Sequence, residues 1–199
     1  LNSTASEQFP RYSPDGRQIV FDSDFSGFRE IWLCDSSGAN QSQLTFTNAP
    51  NSGNWSPDGK FIVYGDLQGD DAGLHVLSPE SGTATNLSIL GLSLPNYSSD
   101  GMWIYGNSLR SGNNEIWRIR PDGSGLQQLT FNNDGGWLFE YPDGKYIYIA
   151  GSTGGIWRVP SEGGNREILF EENYGYLDVV KNGIYLYGFH GDSTFIIYH

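Results

Sequence analysis

The sequence predicts an all-β protein, a β-propeller of four-stranded antiparallel blades, and three observations carry that prediction. A tight turn recurs as "YSPDG" (12–16), "WSPDG" (55–59), "YSSDG" (97–101), "YPDG" (141–144) and "VKNG" (180–183). Its closing glycines, Gly16, Gly59, Gly101, Gly144 and Gly183, are spaced 43, 42, 43 and 39 residues apart. Two further marks keep the same register. One is an aromatic or apolar segment, "EIWL" (30–33), "GLHV" (73–76), "EIWR" (115–118), "GIWR" (155–158) and "TFII" (194–197). The other is a closing segment, "QLTF" (43–46), "NLSI" (86–89), "QLTF" (128–131) and "EILF" (167–170). A repeat of four short strands every 40–45 residues or so is the pattern of propeller blades.

Each element of a unit has a local cause. In the first unit, strand a is expected at about 9–13, b at 17–23, c at 30–35 and d at 41–46. The a–b connection is "SPDG". Pro14 presets the first central turn position, Asp15 tolerates the second, and Gly16 takes the left-handed position. The c–d connections, "DSSGAN", "SPESGT", "RPDGSG" and "PSEGGN", are turn chemistry again. The units fall at about 7–47, 48–90, 91–132, 133–171 and 172–199, one domain in all. The fifth supplies a (174–180), b (183–189) and c (193–199), one strand short. Strand d of that blade is expected from residues 1–6, closing a ring of five blades as a monomer. The rival expectation is an arc excised from a larger ring, which would expose apolar blade faces. The start at Leu1 without Met agrees with a piece of something longer.

The stretch "FPRYSPDGRQIVFDSDFSGFREIWLCDSSGANQSQLTF" resembles the WD-like propeller repeat of the TolB type. In that family the P-D-G turn, the "S-D-x-S-G-x-x-E-I-W" hairpin and the "Q-L-T" close recur in each blade. The likeness covers nearly the whole chain, strongest in units one to three and weakest in unit five. The tail "YGYLDVVKNGIYLYGF" is similar to the last blades of large bacterial regulators that join a winged helix-turn-helix to a propeller. The resemblance implies a bacterial, non-enzymatic interaction role, with the propeller as a sensing part in the regulator-type relatives. Propellers of this repeat type also cap peptidases.

Net charge is −12 and the pI about 4.4, which repels a phosphate backbone and argues against direct nucleic-acid binding. No run of 18 apolar residues exists, so no membrane-spanning helix is expected. The single cysteine, Cys34, cannot form a disulfide within the chain and reads as a small core residue. The compartment, bacterial cytoplasm or periplasm, stays open.

No catalytic constellation emerges. Ser13/Asp15 and Ser56/Asp58 look like a nucleophile with an acid partner, but no His shares their period, and later units put Tyr141 and Val180 in the serine's place. They read as turn scaffold. His75 occupies the slot of Trp32, Trp117 and Trp157 and is expected to pack. His190 and His199 lie in the last unit, and three scattered histidines make no metal signal. The pairs Asp22/Asp24, Asp70/Asp71 and Glu171/Glu172 lack a calcium-loop pattern. No catalytic residue, cofactor or resident metal is therefore assigned, and the propeller axis, lined by the edges of the a strands, has room for an ion or waters.

Function is expected instead on one face. The d–a and b–c loops converge there and differ from unit to unit, whereas the a–b turns opposite are uniform. Variation over a constant frame is where binding sits. Phe28, Asn51, Asp70, Asp71, Asn113, Asn114, Asn132, Asn133, Trp137 and Tyr174 are the candidate residues. The expected partner is a protein or peptide. The alternatives are a carbohydrate or small ligand held as by a lectin, and a peptidase catalytic domain capped by this propeller.

Overall fold

The computed structural model describes residues 5–47, 50–66, 72–89, 91–151, 154–171, 174–180 and 183–188. The last two segments and position 51 are described as backbone. Four antiparallel sheets of four strands follow one another, each with its strands in chain order, and a two-stranded sheet comes after them. Blade one is β1 (Glu7–Tyr12), β2 (Gln18–Ser23), β3 (Glu30–Asp35) and β4 (Ser42–Gln43). Blade two is β5 (Pro50–Trp55), β6 (Ile62–Asp66), β7 (Gly73–Ser78) and β8 (Thr83–Asn86). Blade three is β9 (Ser93–Tyr97), β10 (Ile104–Ser108), β11 (Glu115–Ile119) and β12 (Gln127–Gln128). Blade four is β13 (Gly136–Glu140), β14 (Tyr146–Gly151), β15 (Ile156–Pro160) and β16 (Glu167–Phe170). The pair β17 (Tyr174–Val180) and β18 (Gly183–Gly188) matches the first two strands expected of unit five. Its expected third strand (193–199) and most of the N-terminal segment (1–6) lie outside the described residues.

The recurring turn is a hydrogen-bonded staple. Ser13, Ser56 and Ser98 each donate their hydroxyl to the turn aspartate, Asp15, Asp58 or Asp100, at 2.6–2.7 Å. The same oxygens accept the amides of Gln18, Phe61 and Trp103 at 2.9 Å, opening strand b. These bonds hold all three carboxyls below the usual aspartate range. Each of these serines is thus engaged within its own turn, donating to a carboxylate and accepting a backbone amide.

The "E-I-W…L-T" marks form a second staple. Thr45 and Thr130 donate their hydroxyls at 2.6 Å to the buried carboxylates of Glu30 and Glu115. Each threonine oxygen also accepts the amide of Ile31 or Ile116. Strand d of blade one is therefore shorter than the expected 41–46 and ends at Gln43. Beyond it the Leu44 amide still donates to the Ile31 carbonyl, but the Ile31 amide goes to the Thr45 side chain and not to the backbone.

Packing alternates between neighbouring sheets. Val20, Ile31 and Leu33 of blade one meet Trp55, Ile62, Tyr64 and Leu77 of blade two. Val63 and Leu74 meet Leu92, Ile104 and Ile119 of blade three. Tyr105 and Ile116 meet Leu138, Ile147, Ile149 and Trp157 of blade four. Trp32 and Trp157 are buried in their shared slot, and Trp117 is packed against the core. His75 is buried there too, stacked on Tyr64 at 4.8 Å, as a packing ring should be. Cys34 is likewise buried and free.

The first strands of the blades converge on an axis. Blades one and four meet across it, with Phe9 and Trp137 5.4 Å apart between ring centroids and Arg11 5.5 Å above the Phe139 ring. In blades one to three this strand is bulged, with Phe9, Ser52 and Leu94 at equivalent positions in left-handed conformation (φ 53°, 57° and 51°).

Candidate functional site

With each sheet running a, b, c, d in antiparallel order, all d–a and b–c loops open on one face and all a–b and c–d turns on the other. On the loop face of blade three lies a recess of about 490 Å³, lined by Gly91, Ser93, Asn107, Ser108, Leu109, Arg110 and Asn114. Leu109 is 69% exposed at its rim, and the Arg110 guanidinium lies 5.1 Å above the Trp117 ring.

Two expected site residues build this recess more than they offer themselves. The Asn133 side-chain oxygen accepts the Asn114 amide at 3.1 Å, and the Asn114 carbonyl accepts the Gly135 amide at 2.7 Å. The Asn133 amide in turn donates to Glu115 at 2.8 Å. A side chain at Gly135 would collide with Asn114, so the two loops are locked against each other. Asn113 and Asn132 are exposed on the same two loops. Phe28 is exposed on the rim of blade one, away from this group. Trp137 is half-buried against Phe9 at the axis. Asn51 and Tyr174 are placed by backbone alone, in β5 and β17, and Asp70 and Asp71 lie outside the described residues.

The recess floor carries an amide device. Asn107 donates to the Gly136 carbonyl at 2.9 Å and accepts the Gly136 amide at 2.7 Å, tying blade three to the first strand of blade four. The equivalent residue of blade one is Asp22, whose Oδ2 accepts the Ser52 amide at 3.0 Å while its buried Oδ1 has no hydrogen-bond partner among the described residues. Burial pushes the Asp22 carboxyl up to about 6, against the pull of the Ser52 and Gly53 amides.

Sequence reasoning passed over Phe25, Leu109, Arg110 and Phe131. Phe25, Leu109 and Phe131 are more than 60% exposed, and Phe25 and Arg110 each cover the tryptophan of their own blade. The shared slot of Phe25 and Arg110 in the b–c loop was a readable signal. On the axis, Arg11, Asn54, Asn96, Phe139 and Glu140 line a polar cavity of about 360 Å³, with an amide–amide hydrogen bond from Asn54 to Asn96. Among the described residues no three His, Cys, Asp or Glu side chains come together.

This architecture defines a β-propeller with a constant turn face and a varied loop face. Its relatives are bacterial and TolB-like. A protein of Agrobacterium fabrum is 32% identical over 176 residues, which are 80% of this chain and 59% of that one. A TolB homologue of Chlorobium chlorochromatii is 32% identical over 121 residues, 58% of this chain and 26% of that protein. A structure from Agrobacterium tumefaciens assigned to TolB superposes with a TM-score of 0.73 at 29% identity, covering 81% of this chain and 65% of that one. This chain thus spans roughly three-fifths of the Agrobacterium protein and about a quarter of the Chlorobium one. The fold alone is shared with an oligogalacturonate lyase of Vibrio parahaemolyticus, at 15% identity and a TM-score of 0.68. No domain-family profile matches the chain.

Proposed function

We propose that this chain is a non-enzymatic propeller scaffold that binds a protein or peptide partner through its d–a and b–c loop face. The observation that carries this reading is the recess on blade three. It breaks the repeat, its walls are locked by loop-to-loop hydrogen bonds, Leu109 stands exposed at its rim, and Phe131 is exposed on the d–a connection that carries Asn133. Exposed apolar groups on a rigid frame lose little entropy on binding and gain their contact area. The TolB-like relatives support a role in protein binding, and service as the sensing part of a larger bacterial protein is the finer form of the same reading.

The test is a double substitution, Leu109→Glu with Phe131→Glu, in the chain bound to its cognate partner. Both residues are exposed, so the melting temperature should hold. Affinity should fall by at least about tenfold, as for two exposed anchors replaced by charge. Hydrogen exchange of the complex should slow at 107–114 and 131–136. Protection confined to the a–b and c–d turns would overturn the reading.

A further inference from the structure

On the opposite face, blades two and three leave a groove of about 440 Å³ along their interface. Its walls are mostly apolar, formed by Pro57, Phe61, Val76, Tyr97 and Pro121, with the carboxylates of Asp58 and Asp100 at the edge. The equivalent place between blades three and four is filled, and what fills it is Arg118.

The correspondence follows from register. Val76 pairs with Thr85 across the outer strands of blade two, Arg118 with Gln127 in blade three, and Arg158 with Glu167 in blade four. Likewise Phe61, Trp103 and Tyr146 are the aromatic residues that open strand b of these blades. The Arg118 guanidinium lies 4.1 Å from the centre of the Trp103 ring, and that of Arg158 lies 4.4 Å from the Tyr146 ring. Arg118 also donates to Gln127, to the Ser161 carbonyl at 2.9 Å and to Glu162 at 2.8 Å, and it is buried. Arg158 donates to Glu167 at 2.8 Å. Blade two keeps the aromatic ring but lacks the arginine. Val76 stands in its place, and Phe61 is left 40% exposed.

The charge pattern breaks at the same interface. The turn aspartates of blades one, two and four each face a cation two residues on: Arg17 at 3.8 Å, Lys60 at 3.6 Å and Lys145 at 3.5 Å. In blade three that position is Met102, and among the described residues Asp100 has no cation within 4 Å. Arg120, beside Pro121, is turned onto Trp103 instead. Tyr97 adds a third mark. Its hydroxyl is buried with no hydrogen-bond partner among the described residues, in the slot where Glu140 of blade four accepts the Tyr105 hydroxyl.

We propose that the groove between blades two and three receives the guanidinium of an arginine presented by a partner polypeptide, which takes the place that Arg118 fills one interface further on. The side chain would lie against Phe61 with its charge toward Asp100. A planar, weakly hydrated cation suits an aromatic wall with a carboxylate at its edge. This site is separate from the loop face and does not depend on the reading given above.

The test uses acetyl-Gly-Ser-Arg-Ser-Gly-amide and its citrulline counterpart, followed by NMR of the whole chain. Saturable shifts should centre on the amides of Phe61, Val76 and Gly101. The citrulline peptide should bind at least about tenfold more weakly, because the charge is lost and one donor nitrogen becomes a carbonyl oxygen at nearly the same shape. Val76→Arg should fill the groove from within and abolish binding at an unchanged melting temperature. Phe61→Ala supplies the same loss if that variant does not fold. Asp100→Asn should weaken binding several-fold while Asp143→Asn does not. Free arginine amide should bind more weakly than the peptide if a polypeptide is the source. Equal binding of the citrulline peptide, undiminished binding by Val76→Arg, or the absence of saturable shifts would each overturn the proposal. Leu109→Glu with Phe131→Glu should leave peptide binding unchanged, which separates this site from the loop face.

Discussion

Asp22 shows how much one side chain decides. It ends up buried in blade one where Asn107 serves blade three, but a carboxylate cannot donate to a carbonyl as an amide does. One oxygen therefore goes without a partner among the described residues, and its pKa is raised from 3.8 to about 6. A carboxyl held above its unfolded value favours the fold while protonated. The contribution of Asp22 to stability should thus be greatest below about pH 4, fall as pH rises from about 4 to 6, and level off above, opposite in sign to the contributions of the turn aspartates. The span is about 3 kcal/mol, set by the difference between the two pKa values. Asp22→Asn should raise the urea midpoint at pH 7 and flatten this pH dependence, as denaturation across pH 4–8 would check. The sequence shows Asp22 as half of an acidic pair with Asp24. That Asp22 is buried within β2 while Asp24 is exposed follows from where the strand ends, at Ser23, and from the packing of blade two against it.

At the scale of the element, the blades are held to one another by few polar struts among many apolar contacts. Arg118 is the clearest, joining the outer edge of blade three to the c–d turn of blade four. Arg118→Ala should cost about 2–3 kcal/mol, from lost charge-assisted hydrogen bonds and the ring contact. Glu162 is exposed and is not stranded by the change, so the loss stays below that of a fully buried pair. Arg118→Lys should recover little of it, because an ammonium lacks the planar fork. Chemical denaturation of the three proteins would measure both effects. The repeat marks made these elements legible. The serine, aspartate and glycine of the turn act within a few residues, and the glutamate and threonine of the outer strands act within one blade, fifteen residues apart. Only the length of strand d departed from expectation, because Thr45 replaces a backbone bond that sequence periodicity assumes.

At the scale of the molecule, four blades and a further pair of strands turn about one axis, with Phe9 against Trp137 across it. Closure into five blades, with residues 1–6 completing the last, remains a proposal that particle mass tests. A closed ring predicts a monomer near 22.0 kDa in light scattering, and concentration-dependent self-association would overturn it. Four of the ten residues expected on the loop face lie close together for a plain reason. Asn113 and Asn114 sit in the b–c loop of blade three, Asn132 and Asn133 in the connection from blade three to blade four, and sheet topology brings those loops together. Trp137 went elsewhere because its partner, Phe9, comes from the far end of the chain. By itself the sequence determined the repeat, the turn chemistry, the blade architecture and the packing slots, His75 among them. Those depend on backbone preference and side-chain alternation, which act over a few residues. Only the tertiary structure decided which blade lies against which groove, and where Arg118 fills an interface and Val76 leaves one open. Those depend on distances between residues some forty positions apart, and local chemistry carries no record of them.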